Sequence, residues 1–313
     1  MALSIFSSEK RVGLTILSAI VLIIPLMILN TAVYWDLAKG KDGTEAEKKF
    51  WRSKVLAKQK YDMVFVGDSR TLCGIDPAVF DKVVGNRSFN GAFTGGSINR
   101  VILEHVESNL LAASGKHRAV ILGVTPMCMS NQSRGNSHYN GLKNSLKSKE
   151  NAWSEAMEIV FGEIRTKDIK ELLRKRKPDK IYHTNGWMEK ISEVKPKARR
   201  SNLAGYKIYF NDIFFSEESM QEILLKVKQW KKQNITVFAF RMPSFPDMEK
   251  LENDRGKCDF KLFQKRLEAA GGVWLAVKDR NSYNSYDGAH LERYDANKLS
   301  ADLAEQIKAY FIK

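Results

Sequence analysis

The sequence predicts an α/β protein in which a mostly parallel β-sheet lies between two layers of helices, preceded by one N-terminal transmembrane helix. From residue 61 onward, short apolar runs that are typical of buried parallel strands alternate with amphipathic helices. Before them, residues 12–35 contain no charged side chain and are long enough to cross a bilayer as a helix. The chain of 313 residues has room for one large domain after that segment.

The composition limits the classes of partner and cofactor. A net charge of +15, from 51 Lys and Arg against 36 Asp and Glu, indicates anionic neighbours such as phospholipid headgroups or an acidic polymer. No nucleic-acid-binding motif accompanies the charge, so we expect no nucleic-acid partner. The three cysteines (Cys73, Cys128 and Cys258) are too few and too scattered for a disulfide framework or a zinc ribbon. No metal-ligand spacing and no phosphate-binding loop is found, so the sequence predicts neither metal nor cofactor.

The N-terminal segment is predicted to be a membrane anchor. A tail, 1–11, precedes the span, 12–35, and Tyr34 with Trp35 stand where an interfacial aromatic belt is expected. The span is longer than the apolar core of a signal peptide, and no A-x-A cleavage site follows it. A cleaved signal or a buried soluble helix are the alternatives.

The orientation of the anchor is left open by the charges that flank it. Lys10 and Arg11 precede the span, whereas six basic residues follow it between residues 39 and 54. The positive-inside rule, counted in this way, places the C-terminal domain in the cytoplasm. The motifs described below favour the opposite side.

Two regions follow the span: a charged, helix-prone stalk at 36–60 and a domain at 61–313 that contains a basic insertion at about 131–213. The predicted strands lie in YDMVFVGDS (61–69) and at 87–90, 118–124, 235–240 and 273–277. The predicted helices of the domain lie at 96–113, 216–233 with Ser216 as N-cap, 260–272, and 295–312 with Asp295 as cap.

The first predicted strand ends in GDSRTLCG. In open α/β sheets the sites lie beyond the carboxyl ends of the strands, so Ser69 would expose its hydroxyl on the turn between strand and helix. Backbone N–H groups at the start of that helix can hold an oxyanion. The alternative is a serine that only caps the helix.

A second chemical motif, YDGAHL, lies shortly before the final helix. It places Asp287 and His290 three residues apart in one loop. A serine nucleophile needs a base, and the base needs a carboxylate that fixes its tautomer. The alternative is a capping aspartate beside a surface histidine.

The two motifs together, VFVGDSR and DGAHL, resemble the SGNH/GDSL hydrolase family. The resemblance covers 61–313 apart from 131–213. It implies a flavodoxin-like three-layer fold and the cleavage or transfer of acyl groups on esters. By this resemblance Ser69 is the nucleophile, His290 the general base and Asp287 the group that orients it.

The middle motifs depart from the family pattern. In FNGAFTGGS, Asn90 matches the family's asparagine, but Ala92 replaces the glycine whose N–H contributes to the oxyanion hole, and Thr125 replaces an asparagine at the end of the third strand. The resemblance therefore implies oxyanion donors at Ser69, Ala92 and Thr125, with Asn90 on the substrate side. Loss of one oxyanion donor costs about 10²–10³ in rate, so we expect less efficient hydrolysis.

Arg241 ends the fourth predicted strand in FAFRMPSF. From that position its guanidinium can bind an anionic substrate group in a bidentate manner. The alternative is a structural ion pair at the strand end.

The first hypothesis for function is a single-pass enzyme of the cell inner membrane with an extracytoplasmic domain. The anchor and the altered motifs are similar to the membrane-anchored envelope branch of the family, which acts in acylation of alginate or teichoic acids. This similarity implies a serine esterase or O-acyltransferase that acts on acyl, above all acetyl, esters of an envelope glycan. The expected partners are the lipid bilayer, the envelope polysaccharide and a membrane acyltransferase.

Two other hypotheses remain. The domain is a catalytically degenerate scaffold that binds a polysaccharide or a partner acyltransferase, or it is a thioesterase that acts on lipid or acyl-carrier substrates at the cytoplasmic face.

Overall fold

The computed structural model describes residues 45–58, 61–95, 98–134, 137–148, 180–191 and 196–312. Lys49–Asn144 and Asp179–Lys313 form one compact unit, while Met1–Lys48 and Ser145–Pro178 form another. The predicted tail and span lie outside the described residues, as do residues 149–179 of the predicted insertion. No helix in the described ranges is both long and apolar enough to cross a membrane.

Short strands and longer helices alternate along the described residues. The strands are β1 Met63–Gly67, β2 Ser88–Asn90, β3 Ala119–Val124, β4 Lys180–Tyr182, β5 Met188–Lys190, β6 Thr236–Arg241 and β7 Val273–Trp274. The helices are α1 Glu45–Leu56, α2 Ser69–Gly74, α3 Pro77–Val84, α4 Arg100–His105, α5 Ser137–Ser148, α6 Pro196–Asp212, α7 Glu217–Lys232, α8 Pro246–Arg255, α9 Phe260–Ala269 and α10 Arg293–Ile312.

The central sheet has five strands in the order β2-β1-β3-β6-β7, and every neighbouring pair is parallel. Numbered along the sheet's own chain order this is 2-1-3-4-5, the order of flavodoxin-like proteins. The chain moves to one side of β1 to form β2 and then crosses to the other side to form β3. The predicted parallel α/β fold is therefore confirmed, and its topological switch point lies between β1 and β3.

Helices cover both faces of this sheet because successive strand side chains point to opposite sides. On one face, Phe65 and Phe238 pack with Phe80 of α3 and Leu303 of α10 in a single buried cluster. On the other face, α7 contacts β6 and α4. The result is the predicted three-layer arrangement.

Several predicted boundaries differ from the structure, and two of the differences have a clear physical cause. The last strand stops at Trp274 because the N–H of Ala276 bonds to Gln306 of α10, at 3.2 Å, instead of continuing the ladder. Helix α10 begins at Arg293, so Asp295 does not cap it. The Asp295 carboxylate instead accepts the backbone N–H of Asn284 at 3.0 Å and so holds the loop that precedes α10.

Helix α1 forms from the second half of the predicted stalk. Its Phe50, Trp51, Lys54 and Val55 are buried, although the segment is rich in charge. Buried aromatic rings at this spacing give the helix one packed face. The packed part of the chain therefore includes residues before 61.

The β4–β5 hairpin, from the predicted insertion, packs beside the end of β2. The Trp187 Nε1–H donates to the Cys73 carbonyl at 2.8 Å, and the Asn185 carbonyl accepts the Asn90 N–H at 2.9 Å. At Gly186 the backbone has a φ of +85°, and a Cβ there would stand 2.2 Å from the Asn90 oxygen, so only glycine fits this approach.

Candidate active site

The candidate site is built where helix α2 packs closely against the ends of β1 and β3. The Thr71 side chain lies between Gly67 of β1 and Gly123 of β3, and a Cβ at either glycine would lie about 2.1–2.2 Å from its Oγ1. The glycine before Asp68 is therefore required by packing at the switch point. This approach lets the chain turn sharply from β1 into α2.

Ser69 is the first residue of α2, and Asp68 is its N-cap. One oxygen of the buried Asp68 carboxylate accepts the Arg70 N–H at 2.9 Å, as an N-cap does. The other accepts the Thr125 hydroxyl from the end of β3, at 2.5 Å. The cap and the bond to β3 fix the turn that presents the Ser69 side chain.

The second part of the site is the loop before α10. One oxygen of Asp287 accepts the N–H groups of Ala289 and His290, at 3.0 and 2.9 Å, and so closes the loop on itself. Gly288 between them has a φ of +92°, a left-handed conformation that favours glycine. The Asp-Gly-x-His spacing thus bends the loop so that the side chains of Asp287 and His290 meet.

The structure brings the three predicted catalytic side chains into one hydrogen-bonded chain. The Ser69 Oγ lies 2.8 Å from the His290 Nε2, and the His290 Nδ1 lies 2.8 Å from the other oxygen of Asp287. When Nδ1 carries the proton that it donates to Asp287, Nε2 is free to accept the serine proton. These distances match those of an activated serine with a base and an orienting carboxylate.

The electrostatics of this chain favour an ionised Asp287. Burial alone would raise the pKa of its carboxyl. The hydrogen bond and charge of His290, together with the N–H groups of His290 and Ala289, outweigh that effect and hold the pKa well below its usual range. The imidazole is mostly covered, with its side chain 16% exposed, and the Tyr286 ring stacks on it at 5.9 Å between centroids.

Asn90 and Ala92 lie in the turn after β2 and bind to each other. The Asn90 amide donates to the carbonyls of Thr71 and Ile75, both at 2.9 Å, and its oxygen accepts the Ala92 N–H at 3.1 Å. Asn90 therefore ties this turn to α2. The Ala92 N–H, a predicted oxyanion donor, is engaged in this internal bond.

Lys54 of α1 holds the same turn from the other side. Its ammonium group donates to the carbonyls of Asn90 and Ala92, at 2.6 and 2.8 Å, and is fully buried. Its Nζ lies between 5.0 and 5.9 Å from the ring centroids of four aromatic residues, Phe50, Trp51, Phe89 and Phe93. Burial holds the pKa of Lys54 well below its usual range.

Thr125 and Arg241 both have internal partners. The Thr125 hydroxyl donates to Asp68, as described above. Arg241 lies within salt-bridge distance of Glu249 and Glu252, at 3.7 and 3.3 Å, and its guanidinium stacks on Phe260. Arg241 therefore forms structural ion pairs at the end of β6, which is the alternative to the predicted substrate contact.

Several residues of the site surroundings were not predicted from the sequence, and helix α6 supplies most of them. The Asn202 amide donates to the Asp287 carbonyl at 3.1 Å, and Arg199 donates to the Ser285 carbonyl. The Tyr206 ring lies 5.5 Å from the Arg70 Cζ. The sequence predicts that 131–213 is a basic insertion. Within it, only the apolar and aromatic positions Leu203, Tyr206 and Phe210 indicate a packed helix face.

Cys73, four residues after Ser69, is poorly placed to act as a nucleophile. Cys73 is buried, and burial raises the pKa of its thiol to about 12, which keeps it protonated. Among the described residues, no cluster of His, Cys, Asp and Glu is arranged to hold a metal ion.

Comparison with known proteins gives distant structural similarities. No family model matches the sequence. No curated protein matches it either. A candidate platelet activating factor from Streptococcus pneumonia is 11% identical, with a TM-score of 0.38 over 84% of this chain and 92% of that one. A catalytic mutant of an acetylxylan esterase from Geobacillus stearothermophilus is 12% identical, with a TM-score of 0.38 over 81% and 96% of the two chains.

Proposed function

We propose that this protein is a serine-dependent acyl-ester hydrolase or O-acyltransferase with Ser69, His290 and Asp287 as its catalytic residues. The observation that carries the proposal is the continuous hydrogen-bonded chain from Ser69 Oγ through the imidazole to Asp287, with both links at 2.8 Å. Residues far apart in the sequence reach this arrangement at the switch point of a parallel sheet, where sites of such folds lie.

In the proposed reaction the Ser69 oxygen attacks the acyl carbonyl carbon while its proton passes to the His290 Nε2. Asp287 holds the Nδ1 proton and stabilises the imidazolium. Collapse of the tetrahedral intermediate releases the alcohol, which takes the proton from Nε2, and leaves an acyl-Ser69 ester. Water completes hydrolysis in the same way, and a sugar hydroxyl in its place completes transfer.

The developing oxyanion needs hydrogen-bond donors. The Ser69 N–H, at the first position of α2, has no acceptor among the described residues and is the donor we assign first. The Ala92 N–H and the Thr125 hydroxyl serve as further donors once they exchange their bonds to Asn90 and Asp68 for the substrate. That exchange is consistent with a slow enzyme.

The proposal also covers the substrate class and the cellular location of the protein. An acetyl ester of an envelope glycan fits the net charge of +15, which attracts acidic polymers and anionic lipid surfaces. The uncharged segment at 12–35 serves in this proposal as the anchor in the inner membrane. A membrane acyltransferase is the partner that such a transfer reaction would use.

Activity-based labelling tests the proposal. The full-length chain in detergent micelles should react with a fluorophosphonate probe and hydrolyse an acetyl ester, since both require an activated serine. Ser69→Ala should abolish labelling and lower ester turnover by several orders of magnitude, up to about 10⁶-fold.

The surface variant Ser108→Ala is the matched control, because Ser108 is exposed and its hydroxyl donates to the Glu104 carbonyl of the preceding helical turn. It should label and turn over ester as the unaltered chain does. Labelling of Ser69→Ala at the unaltered rate would overturn the proposal.

A second candidate function is a scaffold without catalysis that binds a polysaccharide or an acyltransferase. The internal bonds of Ala92 and Thr125 favour it, because they occupy two of the predicted oxyanion donors. Under this alternative the unaltered chain does not react with the fluorophosphonate but retains the polysaccharide or the acyltransferase in a pull-down.

A further inference from the structure

Arg199 lies directly beside the loop that carries Asp287 and His290. Its Cγ is 3.9 Å from the place where a Cβ of Gly288 would stand, so the stem of the side chain covers that glycine. Asn202, about one turn along α6, donates to the Asp287 carbonyl. The half-buried guanidinium of Arg199 therefore stands at the rim of the candidate active site.

The guanidinium is held in a fixed orientation. Its Nε and one Nη donate to the Ser285 carbonyl at 3.2 and 2.9 Å, and its Cζ lies 4.1 Å from the Phe245 ring centroid. The bonds fix one edge of the planar group, and the ring covers one face. The other Nη makes no hydrogen bond to any of the described residues, so one donor edge is left for a ligand.

The charge of Arg199 is also uncompensated within the described part of the chain. No carboxylate there forms an ion pair with it, and Asp287 directs its oxygens to His290 and to two backbone N–H groups. Arg241, by contrast, lies between two glutamates. A half-buried cation that lacks a partner is costly to desolvate, and a bound anion removes that cost.

From this placement we infer that Arg199 recognises an anionic group, a carboxylate or a phosphate, on the ester substrate. The inference rests on the proposed function, because it names the substrate class of the same site. The free donor edge of a guanidinium pairs with two oxygens of such a group and orients it. The substrate is then an acyl ester on an acidic molecule, with the anionic group next to the ester bond.

Matched esters test this inference with the full-length chain in detergent. The neutral ester is phenyl acetate, and the anionic esters are 4-acetoxybenzoate and 4-acetoxyphenyl phosphate. Arg199→Met should lower kcat/KM for the anionic esters by about ten- to a hundredfold, as expected for a lost hydrogen bond to a charged group. It should leave the value for phenyl acetate within about twofold. The two anionic esters together show which oxyanion the site prefers.

Two further variants distinguish recognition of the anionic group by Arg199 from a general effect of positive charge. Arg200→Met removes an exposed charge from the neighbouring position of α6 and should leave both values unchanged. Arg199→Lys keeps the charge without the planar fork and should retain part of the preference. An equal loss for neutral and anionic esters in Arg199→Met would overturn the inference, as would an equal loss of the preference in Arg200→Met.

If the proposed function is wrong, the ester assays give a different result from the one expected when only the role of Arg199 is wrong. The unaltered chain would then turn over none of the esters, and equilibrium binding of the same three compounds would decide. Tighter binding of the anionic compounds that Arg199→Met abolishes supports an anion site, and binding without preference overturns it.

Discussion

At the scale of single residues, Asp287 combines two tasks that the sequence motif does not reveal. One oxygen shapes the loop through two backbone N–H groups, and the other orients the imidazole. The loop conformation and the tautomer of His290 therefore depend on one ionised carboxylate. Its depressed pKa has a direct consequence for stability.

We expect the stability that Asp287 contributes to disappear in acid. Because its pKa is lower in the folded chain, the unfolded chain binds more protons as the pH falls, so the contribution is present at neutral pH. It is lost progressively from about pH 5 downward, toward the pKa of the folded chain. Denaturant unfolding at a series of pH values should therefore show that the deficit of Asp287→Asn relative to the unaltered chain shrinks as the pH falls.

Asp247→Asn, at an exposed position of α8, is the control for general charge effects. A deficit of Asp287→Asn that stays constant from neutral pH to pH 3 would show that Asp287 has no such linkage.

At the scale of elements, helix α8 connects helix α2 to the end of β6. Its Glu252 is buried and forms ion pairs with Arg70, the residue after Ser69, and with Arg241 at the end of β6. The charge of Glu252 raises the pKa of Arg70, against the effect of burial. One carboxylate thus pairs with two guanidinium groups, and Arg241 has Glu249 as a second partner.

Glu252→Gln should destabilise the domain strongly. Removal of one partner of a buried ion pair costs about 3–5 kcal/mol because it leaves an uncompensated buried charge. Urea unfolding measures the loss. Glu218→Gln, which breaks a surface pair with Arg134, should change the free energy of unfolding by about 1 kcal/mol or less. A similar small loss for Glu252→Gln would contradict the role that we assign to the buried pair.

At the scale of the whole molecule, local patterns predicted the sheet and the meeting of Ser69, Asp287 and His290 better than they predicted what surrounds them. Buried strands and the turn at Ser69 have strong local signals, and the Asp-Gly-x-His loop is short. The roles of Arg199, Asn202 and Lys54 depend on contacts between distant segments, which periodicity does not encode. Arg241 shows the same limit, because its partner Glu252 lies on helix α8, whose packing against the end of β6 is not encoded in the strand pattern.

The orientation of the proposed membrane anchor is the whole-molecule proposal that most needs a test. We propose that the domain lies outside the cytoplasm, against the count of flanking charges, because an envelope glycan is found there. A C-terminal alkaline phosphatase fusion should be active, whereas the same fusion to a fluorescent protein that matures only in the cytoplasm should be dark. The reverse result would favour the cytoplasmic thioesterase hypothesis.

The bonds from Lys54 to the turn after β2 have a practical meaning for anyone who wants a water-soluble fragment. Cutting the chain just before Tyr61, where the apolar strands begin, would discard the only lysine seen to donate to Asn90 and Ala92 among the described residues. It would also uncover the rings of Phe89 and Phe93, which Lys54 lies against. Trimming should therefore stop upstream of Glu45, since the first helix packs against the folded domain.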